Sequence, residues 1–102
     1  MKAVALFKPV EVPSQYVGTV IQWQEVGAVF ADVQTAENKR LVELYGERVN
    51  NMQTLYLEKG AGIRNGYGAF SLASNGKPTH KIVSVLRYPD HIVAVAERQA
   101  DV

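Results

Sequence analysis

The chain has 102 residues, of which 47% are hydrophobic and 21% are charged, a composition typical of a folded domain and not of a disordered chain. Its formal net charge of +1 gives no global attraction to nucleic acid or membrane. The absence of cysteine excludes disulfides, thiolate catalysis and most structural zinc sites. No segment approaches the roughly twenty apolar residues that a membrane span requires, so we expect one domain, 1–102, without membrane association.

The first third of the chain predicts β-structure. A strand near residues 2–12 is punctuated by Pro9 and Pro13, which lack the N–H for a ladder, so this strand should lie at an edge or carry a break. Residues 19–34 are rich in Val, Ile, Trp and Phe, and within them Val29, Ala31 and Val33 alternate with Phe30, Asp32 and Gln34 at the strand period. Gly27 interrupts them and predicts a bulge or bend, giving either one long bent strand or two short ones.

From Ala36 to Tyr45 the hydrophobic period becomes helical. Leu41, Leu44 and Tyr45 stand at i, i+3 and i+4 and form one apolar face, while charged residues occupy the other. Gly46 is placed to end the helix in a left-handed conformation. The pattern predicts one short amphipathic helix of about three turns.

The second half predicts more strands. These cover residues 54–58, 69–73, 81–87 and 91–97. Turns are predicted at Asn65-Gly66, Asn75-Gly76 and Pro89-Asp90. Short strands at this spacing predict a mainly β protein, either a small antiparallel β-barrel or a sandwich, with the one short α-helix described above.

Residues 59–88 are rich in glycine and contain basic but no acidic residues. They hold five of the eight glycines and five of the eleven Lys and Arg residues, and no Asp or Glu. Residues 1–58 carry a net charge of −2 (five bases, seven acids) and residues 59–102 a net charge of +3 (six bases, three acids). This asymmetry favours a surface that faces a polyanion, or head-to-tail contact between identical copies.

The sequence contains no complete motif for catalysis or cofactor binding. His80 and His91 lack metal-ligand spacing, and no serine lies in a Gly-x-Ser-x-Gly elbow. Residues 60–66 imitate a dinucleotide loop, but the third glycine comes one residue late and a predicted strand follows where a helix is needed. We expect no enzyme activity, no catalytic residues, no metal and no cofactor.

Residues 65–72 resemble the RNA-stacking strand of RRM and cold-shock domains. In that motif the aromatic residues stand two apart on one face of the sheet, whereas Tyr67 and Phe70 stand three apart. A bulge at Gly68 would restore the parity. An oligonucleotide-binding small barrel of the OB or cold-shock kind therefore stays as an alternative.

A series of short motifs extends over residues 16–97. They are Tyr16-Val-Gly18, Trp23-Gln-Glu-Val26, Val29-Phe-Ala-Asp-Val33, Tyr45-Gly46, the strand at 54–57, the segment 76–85 and the final strand 91–98. Their order resembles the head-tail joining, or head-closure, proteins of tailed bacteriophages. The chain departs from that pattern after Ile63-Arg64, where an Asn-Gly turn follows.

This resemblance implies a small β-barrel that assembles into a homo-oligomeric ring in the virion neck, built in the host cytoplasm. Its partners would be portal or adaptor proteins, tail proteins, and double-stranded DNA passing through the channel without sequence recognition. The candidates for contact with DNA are Lys59, Arg64, Lys77 and Lys81. The candidates for the subunit interface are Trp23, Leu41, Leu44 and Tyr45. Another neck component, such as a tail terminator or adaptor, stays open.

Overall fold

A computed structural model describes residues 2–16, 18–35, 39–71 and 78–99. Within them lie six strands, β1 (Lys2–Ser14), β2 (Gly18–Thr35), β3 (Met52–Glu58), β4 (Gly68–Ser71), β5 (Pro78–Arg87) and β6 (His91–Arg98). One α-helix, α1 (Lys39–Tyr45), continues into a 3-10 helix (Gly46–Asn51). The prediction of a mainly β protein with one short helix is confirmed. Residues 36–38 of the predicted helix lie outside the described residues.

The six strands are antiparallel and close on themselves in the order β1-β2-β3-β6-β5-β4. Closure depends on a short pairing of β1 with β4, in which Leu6 lies opposite Ala69 and Phe7 opposite Gly68. Alternate side chains of the strands fill the interior, as the strand period requires. The buried residues of this core are Val4, Leu6, Ala31, Leu55, Leu57, Ile63, Ala69, Ile82, Ile92, Ala94 and Ala96.

A second apolar cluster lies on the outer face of the barrel, beneath the helices. Its buried members are Val49, Met52 and Val95. Leu41 and Tyr45 of α1 pack against them, so the apolar face of the helix covers its own barrel. The helix ends at Tyr45 because Gly46 has a φ of 61°, the left-handed conformation that glycine adopts without strain.

The β1–β2 hairpin carries a bulge near its middle. Leu6 lies opposite Gly27 but Phe7 lies opposite Glu25, so β2 has one extra residue, Val26, at this point. Gly27 has a φ of 131°, a backbone conformation that favours glycine. The predicted bulge at Gly27 is confirmed, and residues 18–35 form one long strand rather than two.

Beyond the bulge the hairpin leaves the barrel as a two-stranded ribbon. Residues 8–14 and 18–24 pair with each other, and neither segment pairs with another strand of the described chain. We call these two segments, with their connection, the arm. Seven residues on each side give a length of about 24 Å at strand rise. The longest dimension of the molecule is 45 Å, against 30 and 25 Å for the other two.

The structure describes two of the three predicted turns. At Pro89-Asp90 the Tyr88 N–H donates to the His91 carbonyl at 2.9 Å and closes the β5–β6 hairpin, as expected. Asn65-Gly66 is also a turn, with the Tyr67 N–H donating to the Arg64 carbonyl at 3.1 Å, but only Gly66 of the pair has a positive φ. This turn does not join two paired strands, because β3 and β4 are not neighbours in the sheet. Asn75-Gly76 lies outside the described residues.

Candidate functional site

Three of the four predicted DNA-contact residues lie in the part of the chain that the structure describes, and all three are exposed. Lys59 and Arg64 are exposed in the connection between β3 and β4. Lys81 is exposed on β5, opposite Gly68 on one side and Glu97 on the other. Lys77 lies outside the part of the chain that the structure describes.

Arg64 has a basic neighbour that was not among the predicted contact residues, Arg87 at the end of β5. Together with Asn65 and Val85 these two arginines line an open concavity of about 640 Å³. The Arg87 Nη2 donates to the Ile63 carbonyl at 2.5 Å and so ties the β3–β4 connection to β5. Two guanidinium groups in one concavity suit a phosphate group, which they can bind in bidentate fashion. The sequence placed Arg87 in the basic segment, but only the folded chain brings it to Arg64.

The predicted interface residues fall into two groups. Trp23 is half-buried, and its ring lies over Gly68, where an added Cβ would stand 3.3 Å from Trp23 Cζ3. Leu41 and Tyr45 are half-buried against the outer cluster of their own chain. Leu44 is 65% exposed. Leu44 is therefore the member of the helical set with most surface left for another molecule.

A groove runs between α1 and the outer face of β3, β5 and β6. We call it the outer groove, and its volume is about 540 Å³. It is lined by Arg40, Leu41, Leu44, Tyr45, Thr54, Tyr56, Ser84, Leu86, Tyr88, His91, Val93 and Val95. Aliphatic and aromatic side chains dominate, with Arg40 and His91 as its basic members and no acid. Its size and lining are those of sites that take small molecules or segments of another protein.

Thr54 lines the outer groove with an unusual hydroxyl. The residue is only 3% exposed, and its Oγ1 has no hydrogen-bond partner within the described chain. A buried hydroxyl without a partner costs free energy because the hydrogen bonds it made to water are not replaced. The sequence could not indicate this, since threonine is an ordinary strand residue.

The arm exposes apolar side chains on both its faces. Tyr16 at the tip is 85% exposed and Ile21 is 53% exposed, with Val20 also exposed. Ile21 lies opposite Glu11, and Val20 lies opposite Val12, on the other face. The sequence predicted strands here but not that they project from the barrel. Projection depends on how the strands of the whole sheet pair, which local sequence does not show.

Several titratable groups are engaged in pairs at the barrel surface. Arg48 donates to both carboxylate oxygens of Glu97, from Nη2 at 2.6 Å and from Nε at 2.8 Å, and this hydrogen bonding lowers the pKa of Glu97. The Asp90 Oδ1 lies 2.6 Å from Nδ1 of His91, which lowers the pKa of Asp90.

His80, on β5, is in a different environment. Its Nδ1 lies 2.7 Å from the Thr79 hydroxyl. Burial lowers the pKa of His80, and Arg98, which lies opposite it on β6, contributes in the same direction. Both effects favour the neutral imidazole, so at neutral pH this side chain acts as a partner for Thr79 and not as a positive charge.

The described residues contain no group of three or more His, Cys, Asp or Glu side chains that could hold a metal ion. In the same part of the chain, no helix is long and apolar enough to cross a bilayer.

The two aromatic residues of the RNA-like segment, Tyr67 and Phe70, pack partly buried against the barrel core. Phe70 has a positive φ of 61°, and its ring centroid lies 4.9 Å from that of His80. Both rings are thus partly covered, which reduces the surface available for stacking on a base.

No protein-family model matches the chain, and no curated protein matches it either. Among solved structures, it is similar to protein SF1141 from Shigella flexneri 2a, a solution structure from the Northeast Structural Genomics Consortium. The TM-score is 0.74 at 9% identity, over 100% of this chain and 95% of that one. Similarity at this identity shows that the two chains share a fold, and a shared fold does not carry function with it.

Proposed function

We propose that this chain is a structural subunit of the neck of a tailed bacteriophage, where copies of it form a ring that closes the DNA-filled head and docks the tail. The resemblance in the order of sequence motifs motivates the proposal, and the arm is the structural observation that supports it. A two-stranded ribbon by itself is marginally stable in water. With Tyr16 and Ile21 exposed on it, the arm gains stability by packing on another molecule.

The proposed ring surrounds double-stranded DNA that moves through it. Such a channel needs positive charge that meets phosphates without reading sequence. Lys59, Arg64 and Arg87 supply that charge along the β3–β4 connection and the end of β5. Because the two arginines share a concavity, they are better placed for a phosphate than Lys81, which does not line it.

A second candidate function is binding of single-stranded nucleic acid by the isolated barrel, and the Arg64–Arg87 concavity favours it. The packing of Tyr67 and Phe70, both partly buried against the core, argues against it, because base stacking supplies much of the affinity in that class. Salt-dependent binding of a single-stranded oligonucleotide by the monomer would favour this alternative over the neck role.

The proposed function is tested with phage heads assembled without this protein. These heads should leak DNA and fail to join tails, and addition of the purified chain should restore infectious particles. Heads that keep their DNA and accept tails in its absence would refute the neck role.

The role of the basic residues is tested in the same assay. Lys59→Glu with Arg64→Glu should reduce DNA retention, because these changes place negative charge against phosphate. The matched control is Lys39→Glu with Arg98→Glu, which reverses two exposed bases away from the β3–β4 connection. Equal retention by both double variants would mean that the loop does not face DNA.

A further inference from the structure

The arm and the outer groove are two exposed apolar surfaces carried by different strands of the barrel. In the closed order of strands, β1 and β2 stand across from β6 and β5. The arm is the continuation of β1 and β2, whereas the outer groove lies on the outer face of β3, β5 and β6. No residue of the arm lines the outer groove of its own chain, so the groove is open to the arm of another copy.

The two surfaces match in chemistry. The outer groove presents Leu44, Leu86 and Tyr88 with roughly half or more of each side chain exposed. The arm presents Tyr16 and Ile21, an aromatic residue at the tip and an aliphatic residue beside it. Tyrosine on a hairpin is a common interface anchor because it buries a large area with few rotatable bonds.

The charges of the two surfaces are also complementary. The arm face that carries Ile21 also carries Glu11, its cross-strand partner. The outer groove has Arg40 among its lining residues and no acid. An exposed pair of this type adds little affinity but favours one orientation of the arm over the reverse.

We propose that the arm of one copy of this chain lies in the outer groove of a second copy, with Tyr16 and Ile21 against Leu44 and Glu11 near Arg40. The contact joins two different surfaces, so it is heterologous, and repetition around an axis gives a closed ring. The proposal rests on the proposed ring and names the contact that holds it together. Both halves of the contact are present on one chain, which makes a second copy the occupant that the surfaces fit.

Because the chain contains no cysteine, the contact can be tested by disulfide trapping. Tyr16→Cys protein is mixed with Leu44→Cys protein under mild oxidation, and the mixed disulfide dimer is measured on non-reducing gels. The expected yield exceeds that of Tyr16→Cys mixed with Asn65→Cys by about tenfold, the difference between a populated contact and random collision. Asn65 is exposed but lies outside the outer groove, in the Arg64–Arg87 concavity.

A second pair of variants separates the groove from general effects on the helix. Leu44→Lys places a charge at the groove and should reduce the self-association of the full chain by about tenfold or more, measured by analytical ultracentrifugation. Val42→Lys is the matched control, since Val42 is 47% exposed on the same helix but does not line the groove. Circular dichroism confirms that both variants fold.

The proposal is overturned if Tyr16→Cys traps Leu44→Cys no better than Asn65→Cys, or if Val42→Lys weakens association as much as Leu44→Lys. These measurements use the purified chain alone, whereas the neck role is tested on phage heads. Restored heads without specific trapping would leave the neck role standing and remove the arm contact. Specific trapping without restored heads would establish the contact and remove the neck role.

Discussion

Replacing Thr54 by valine should stabilise the protein, although the change removes a polar group from a strand. Valine has nearly the shape of threonine and an equal preference for strands, so packing and backbone conformation are conserved. What changes is the hydroxyl, which is buried at 3% exposure without a partner in the described chain. Removing it also removes its desolvation cost, which is about 1 to 3 kcal/mol for groups of this kind.

The expected gain is about 1 to 2 kcal/mol, in the lower part of that range, because a hydroxyl can rotate and so reduce its desolvation cost. For a domain of this length, each kcal/mol shifts the melting temperature by about 4 to 8 °C. Urea denaturation measures the change directly, as a higher midpoint with an unchanged m-value.

Thr79→Val is the matched control, because it removes the same hydroxyl group at a position where that hydroxyl has a partner. The Thr79 hydroxyl lies 2.7 Å from His80 Nδ1 in a half-buried position. Its removal leaves a ring nitrogen without that partner, so the free energy of unfolding should fall by about 1 kcal/mol. The two substitutions are therefore expected to differ in sign. If Thr54→Val destabilises the chain as much as Thr79→Val does, the reasoning about the buried hydroxyl is refuted.

Two further predictions concern the barrel itself. Gly68→Ala should lower the free energy of unfolding by about 1 to 3 kcal/mol in urea titrations, because an added Cβ would overlap the ring of Pro78; Gly62→Ala, with open space around it, should be nearly neutral. The hydrogen bonds from Arg48 lower the pKa of Glu97 in the folded state. Their contribution to stability is therefore complete above the unfolded-state pKa of about 4.3, and it is lost as the pH falls through the lower pKa of the folded state. The urea midpoint of the wild type should therefore fall more than that of Glu97→Gln between about pH 6 and about pH 3, and parallel curves would contradict this.

Local features of the fold could be predicted from local sequence. The alternation of apolar residues predicted the strands, and the change to a helical period at Leu41 predicted α1. Gly27 and Gly46 marked a bulge and a helix end because both take positive φ, which few other residues adopt at low cost. Each of these signals lies within a few residues of its consequence.

The partners of the strands could not be predicted in this way. The Asn65-Gly66 pair is a strong signal for a hairpin, yet β3 pairs with β2 and β6 and leaves the turn inside a longer connection. Arg87 stood in the basic segment, but its place beside Arg64 depends on that connection folding back onto β5. Pairing of this kind is set by packing over the whole chain, which no short window of sequence contains.

The two prolines of the arm bear on how it can associate. Pro9 lies opposite Trp23 and Pro13 opposite Thr19, within a β1–β2 ladder that continues through both. They stand four residues apart, so their nitrogens face the same edge of β1. Since proline is tolerated in a ladder where its nitrogen points away from the partner strand, that edge is the outer one, and it lacks two donors. Addition of a further strand along β1 is thereby disfavoured, as in other protected edges. The side-chain faces of the arm remain available, which is the mode of contact that packing in the outer groove requires.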